Sequence, residues 1–178
     1  MSQFKKISEE VLVAENSVVQ VERTLFDTLK MQAAKSPLHR ARLCTHKDAQ
    51  DRLHEMFIVL ARPVYIRPHR HFHKTESFHV MEGSSVFFFF DDAGAIEQVI
   101  PVGDAASGRP FYIRNDDSRF HTHLITSDFL VFHEITNGPF NRADTIYAPW
   151  APEETDSAAI LTFVEKLRSA AAQFGEAR

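Results

Sequence analysis

Apolar residues change their spacing twice along this chain. From Ser17, the residues Val18, Val21, Leu25 and Leu29 recur at three- and four-residue steps with Glu22, Arg23, Asp27 and Lys30 between them. That is the period of an amphipathic helix, expected to end before Ser36-Pro37. Residues 38–51 (LHRARLCTHKDAQD) mix charges without a clear period and read as a connector lying against the rest. From Glu55 short runs rich in Val, Ile, Phe and Tyr alternate with turn residues: EMFIVLA, PVYIR, SFHVM, SVFFFF, IEQVI, PFYIR, THLIT and FLVFHEI. This texture predicts strands of an all-β sandwich or barrel, with Gly83 closing one turn and Asp91-Asp92-Ala93-Gly94 suited to another. After Pro152 helical spacing returns through Ile160, Phe163, Val164, Leu167 and Ala171, with Gly175 beyond the expected end.

That order predicts one mainly β domain with helical additions: an N-terminal helical extension and connector over 1–52, a β-barrel over 53–150 and a C-terminal helix over 151–178. The run SSVFFFF is apolar on both faces, so it needs cover on both sides, from the barrel interior and from a helix or a partner chain. A homodimer is therefore expected.

Charge and composition narrow the partners. A formal net charge of -4 offers no field to attract a nucleic-acid backbone or an anionic membrane. Cys44 is the only cysteine, which excludes an intramolecular disulfide or a cysteine metal cluster and fits a reducing cytoplasm. No stretch approaches the roughly 20 apolar residues of a membrane span, and MSQFKKISEE turns acidic before any leader-like apolar run develops. The expected partner is a small-molecule substrate. The chemistry should lie between Leu53 and His133, where most of the 10 histidines and 16 phenylalanines fall.

Alternate residues of a strand share a face, so His69 and His71 can point to one side together, as two imidazoles on one metal must. Glu76, past a turn, can bring a carboxylate to the same point, and His121 can reach it from the later strand HTHLIT. Any one of these histidines would be unremarkable at a strand end; the set is far more demanding. Three imidazoles and a carboxylate suit one divalent transition metal (iron, manganese, nickel, zinc or copper) without choosing among them.

Parity carries the reading to the neighbours. Tyr65 and Arg67 share the parity of His69 and His71, which would put them in the lumen as substrate-binding groups, with Arg67 gripping a carboxylate or phosphate or else pairing with Glu76 or Glu134. His123 has the parity of His121 and is a candidate fifth ligand, proton carrier or buried structural residue. His133 and Glu134 cannot both face inward, so one is a candidate acid–base group. His79 should face outward, His73 should be exposed in its turn, and Phe78, Val80, Phe88 and Ile125 read as core. Trp150 reads as packing.

The segment HRHFHKTESFHVMEG resembles the first cupin motif at His69, His71, Glu76 and Gly83, with Pro63 where that motif begins with Gly. The second motif, PxGxxH, is matched only at His121, because Asp116 and Ser118 replace its Pro and Gly. From Pro37 to Glu153, PLHRARLCTHKD, VYIRPHRHFHKTESFHVMEG, Phe120 to Thr122, and EITNGPFNRADTIYAPWAPEE are similar to the WbuC-type cupin metalloproteins. The resemblance implies a single double-stranded β-helix (jelly-roll) barrel, a metal on the four residues above and an association with O-antigen and other surface-polysaccharide gene sets. It implies no assigned reaction. An enzyme acting on a sugar derivative by Lewis-acid isomerisation or proton transfer, a metal-dependent dioxygenase, and a non-catalytic binding module all remain open.

Overall fold

Residues 3–176 are described by a computed structural model of the chain. Its larger sheet has seven strands in the order β1 (Phe4–Lys6), β2 (Val11–Ala14), β3 (Arg40–Cys44), β4 (Leu53–Ala61), β11 (Phe129–Asn137), β6 (Glu76–Glu82) and β9 (Tyr112–Asn115). The smaller sheet runs β12 (Thr145–Tyr147), β5 (His69–His71), β10 (Phe120–Ile125), β7 (Ser84–Phe90) and β8 (Ile96–Gly103). Every ladder is antiparallel except β2 with β3.

The two sheets face each other, and strand alternation decides what each presents. Leu60, Phe78, Val80, Phe87, Phe89, Ile125, Leu130 and Phe132 meet between them as the inner core. The outer face of the larger sheet offers Ala41, Leu43, Val59, Ala61 and Val131 to α1 (Thr24–Lys35), which buries Phe26, Leu29 and Ala33 against them. The outer face of the smaller sheet offers Val86, Phe88, Phe90, Phe120 and Leu124 to α2 (Ser157–Glu176), which answers with Phe163, Val164, Leu167 and Ala171. Asp156 starts α2 by accepting the Ala159 amide hydrogen at 3.0 Å, a side-chain N-cap. The chain is thus a mainly β jelly-roll barrel of the cupin type with helical additions at both ends.

The turn glycines hold the registers. Gly83 joins β6 to β7 at φ +87°, and a Cβ there would lie 2.3 Å from the Phe129 carbonyl oxygen, so no side chain fits. Gly94, at φ +86°, leaves room for the Trp150 ring, whose Cδ2 would stand 2.8 Å from an added Cβ.

Several expectations are corrected. The first helix begins at Thr24, not near Ser17, and Val18 is 74% exposed; the β-branched run Val18, Val19, Val21 resists helix, and of it Val21 packs against the core from outside the helix. The connector holds β3, which extends the larger sheet in register with β4. Its outward Ala41 and Leu43 were masked by the arginines between them. PVYIR joins no ladder; the strand there is His69–His71. The C-terminal helix runs through Gly175 to Glu176. The second face of SSVFFFF is covered by α2 and Trp150 of the same chain, so that surface requires no partner.

Candidate metal centre

His69 and His71 alternate on β5, and His121 of β10 stands directly across from His69 in the antiparallel ladder. Their ligating nitrogens all lie within 4.8 Å of one another. Glu76 opens β6 on the opposing sheet and reaches between them: its carboxylate lies 3.3 Å from His71 Nε2 and 3.2 Å from His121 Nε2.

The outer nitrogens explain how the rings are aimed. Nδ1–H of His69 donates to the Arg67 carbonyl (2.8 Å) and Nδ1–H of His121 donates to the Arg119 carbonyl (3.2 Å). A carbonyl only accepts, so both protons are on Nδ1 and both Nε2 lone pairs are free to ligate. Nδ1 of His71 meets the Thr145 hydroxyl at 3.3 Å. Nε2 of His121 is buried with no hydrogen-bond partner, since its lone pair and the nearby carboxylate are both acceptors. A cation between the rings and Glu76 would satisfy that atom, and the donor set of imidazole nitrogen and carboxylate oxygen suits a divalent transition metal.

Electrostatics agree with this. Burial alone would raise the Glu76 pKa, but the contacts from His121 and His71 outweigh it and hold the carboxyl far below its usual range. Burial, then the neighbouring His121, pushes His69 down to about 4, so this imidazole is neutral and available at physiological pH.

The cluster lies on the wall of a cavity of about 480 Å³. Inward residues of the larger sheet cross it in rows set by register. His54, Thr136 and Glu76 form one row; Cys44, Met56, Glu134 and Phe78 the next; Arg42, Ile58, Phe132 and Val80 the third. Glu134 therefore sits one row from Glu76 and lines the cavity with the cluster. Burial, and then the Glu76 charge, push its pKa up to about 8. His123 also lines the cavity, stacked 4.8 Å from Phe87 with Nδ1 3.2 Å from the Ser85 hydroxyl. Burial, then His121, takes its pKa down to about 3.

Of the residues singled out from sequence, the structure brings together His69, His71, Glu76, His121, His123 and Glu134. His133 turns away, stacked on Phe57 at 4.6 Å and 3.8 Å from Glu55. His79 and His73 are exposed. Phe78, Val80 and Ile125 belong to the inner core, whereas Phe88 packs under α2.

Tyr65 and Arg67 do not enter the lumen. The Tyr65 hydroxyl donates to the Pro152 carbonyl (3.0 Å), and Arg67 pairs with Glu153 (2.6 Å) with its guanidinium over the Tyr147 ring. The reason is local: the segment before β5 makes no ladder, Val64 and Ile66 turn to the core, and parity shifts at Pro68 before His69 turns inward. Sequence reasoning missed Arg42 and Lys74, which also line the cavity. The alternation of RARLC could have revealed the first, and the second sits within the histidine motif itself.

Fold and site together define a cupin-fold protein whose group of three histidines can hold a metal ion. Residues 21–102, under half of the chain, match the family described as "Domain of unknown function (DUF6016)". No curated protein sequence matches this one. Among solved structures, a protein from Shewanella oneidensis is similar at TM-score 0.48 and 13% identity, over 72% of this chain and 77% of that one. The capsular polysaccharide assembling protein CapF from Staphylococcus aureus is similar at TM-score 0.46 and 18% identity, over 60% of this chain and 31% of that one. Oxalate decarboxylase from Bacillus subtilis is similar at TM-score 0.44 and 16% identity, over 55% of this chain and 24% of that one. The chain thus spans less than a third of the last two. Among the described residues, no helix is long and apolar enough to cross a membrane.

Proposed function

We propose that this chain is a metal-dependent enzyme that takes a small polar substrate into the barrel and moves a proton on it, as an isomerase does. One observation carries the reading: a single cavity holds both the ligand cluster and a carboxyl group, Glu134, that keeps its proton near neutral pH. A carboxyl poised close to the working pH is suited to both giving and receiving a proton. A divalent ion held by His69, His71, Glu76 and His121 would supply Lewis-acid polarisation of a substrate carbonyl. His123, neutral and fixed by Ser85, offers a hydrogen bond from the wall. Phe78 and Phe132 make that wall apolar. The choice of a sugar derivative rests on the resemblance to the WbuC-type proteins. A purely structural role for the metal fits poorly with an unfilled lumen of about 480 Å³.

The test is elemental analysis of protein purified without added metal or chelator, paired with NMR of candidate sugar derivatives in D2O and with O2-uptake measurements. Zinc or manganese near one per chain, with deuterium entering substrate, supports the proposal. Glu134→Gln should slow that exchange about 100-fold or more. Iron with substrate-dependent O2 uptake would point to a dioxygenase instead, and bound metal with neither activity to a binding module.

A further inference from the structure

Arg40, Arg42, Lys47 and Lys74 all line the cavity, and two of these cations, Arg42 and Lys74, act on the Glu134 carboxyl. Arg42 projects from β3 opposite Ile58, on the face that also presents Cys44 and Met56 to the cavity. Its side chain is exposed at the cavity rim with no hydrogen-bond or ion-pair partner among the described residues, and it is close enough to lower the Glu134 pKa. Lys74 lies between the ligands His71 and Glu76 in sequence and lines the same cavity. Its side chain is 10% exposed, yet its only ion pair is Asp144 at 3.8 Å, with the Phe140 ring 5.6 Å from the ammonium. With its stem largely buried and its partner so distant, the ammonium is available to an anion that enters the cavity.

The acidic residues nearby are otherwise engaged. Glu10 accepts from the Ser36 hydroxyl at 2.5 Å, and Asp48 accepts the Gln50 amide hydrogen at 2.8 Å. Glu76 faces the imidazoles. Arg40, Arg42, Lys47 and Lys74 thus stand against the charges of Glu10, Asp48 and Glu76, beside a Glu134 that is largely neutral, and an anionic group brought by a ligand would complement this excess of positive charge.

We propose that the molecule received by this cavity carries a carboxylate or phosphate group, gripped by Arg42 and Lys74 while its remainder lies toward the histidine cluster. This rests on reading the cavity as the substrate site. It makes Arg42 the specificity-determining residue, since a guanidinium can bind either oxyanion with two parallel hydrogen bonds. It also gives the N-terminal strands a purpose: β3 adds to the barrel's edge Arg42, whose charge acts on Glu134.

The test is calorimetric titration of the full chain, both metal-free and loaded with manganese, with inorganic phosphate, with glycolate as a small carboxylate, and with glycerol as the neutral control. The variants are Arg42→Gln, Arg42→Lys and Lys74→Met. Each removes no packing contact of the inner core, and folding is checked by melting temperature. Phosphate or glycolate should bind the native chain where glycerol does not, and affinity should fall about ten-fold or more in Arg42→Gln and Lys74→Met, with Arg42→Lys in between. Whichever anion binds more tightly identifies the group. Equal affinity in native and variant chains, as when the anion sits on manganese alone, would overturn the proposal, as would no anion binding to either form. Arg42-dependent anion binding in a chain that fails to load manganese would support this inference while overturning the metal reading.

Discussion

Glu134 shows how strongly position sets the chemistry of one residue. On an exposed strand it would be an ordinary carboxylate; here burial and the Glu76 charge raise its pKa from 4.5 to about 8. The folded chain then holds this proton more tightly than the unfolded chain does. Its contribution to stability is complete below about 4.5 and is lost as pH rises through about 8. In metal-free protein, Glu134→Gln should gain on the native chain between pH 5 and pH 9 by on the order of 4 kcal/mol, read from urea melts. A gap that does not widen with pH would show that Glu134 is not held neutral. Whereas Glu76 and His121 came with the motif resemblance, the shared face of His69 and His71 was legible from spacing because a strand's two-residue period is independent of its surroundings. Tyr65 and Arg67 were not, because that period was carried across Pro68, where no ladder enforces it.

At the scale of elements, the helices were visible as apolar stripes, but which sheet each covers is a tertiary fact. The C-terminal helix closes the outer face of the small sheet, and Leu167, 3% exposed, packs in the same cluster as Phe88 and Phe90. Leu167→Ala should cost about 2–4 kcal/mol of stability while leaving metal stoichiometry unchanged, since this cluster lies behind β10 and the ligands in front. Denaturant melts and elemental analysis of the same sample check both halves. The strands from Leu53 to Asn137 carry enough Val, Ile and Phe to announce themselves. Those of the N-terminal segment do not: β3 interleaves two arginines with Ala41 and Leu43, and charged residues at alternate positions look like a loop until a neighbouring strand is supplied.

Across the whole molecule, the candidate ligands come from β5 and β10 of one sheet and β6 of the other, so an ion there ties the two layers together. Any ligand bound only by the folded chain stabilises it by mass action, about 4 kcal/mol at a thousand-fold excess over Kd. Removing metal with a chelator should therefore lower the melting temperature, and restoring it should reverse the change. His71→Ala should lose most bound metal by elemental analysis and show no metal-dependent shift; full occupancy in that variant would remove His71 from the ligand set. The amino-acid sequence by itself determined the strand-rich class, the flanking helices and the shared face of His69 and His71, because each depends on periods of two or three to four residues along the chain. Only the tertiary structure decided that α2 rather than a partner covers Phe88 and Phe90, that Glu134 rather than His133 faces the cluster, and that Arg42 rather than Arg67 stands in the cavity. Those outcomes depend on strand register and on which faces meet, and both are fixed by contacts between residues far apart in the chain.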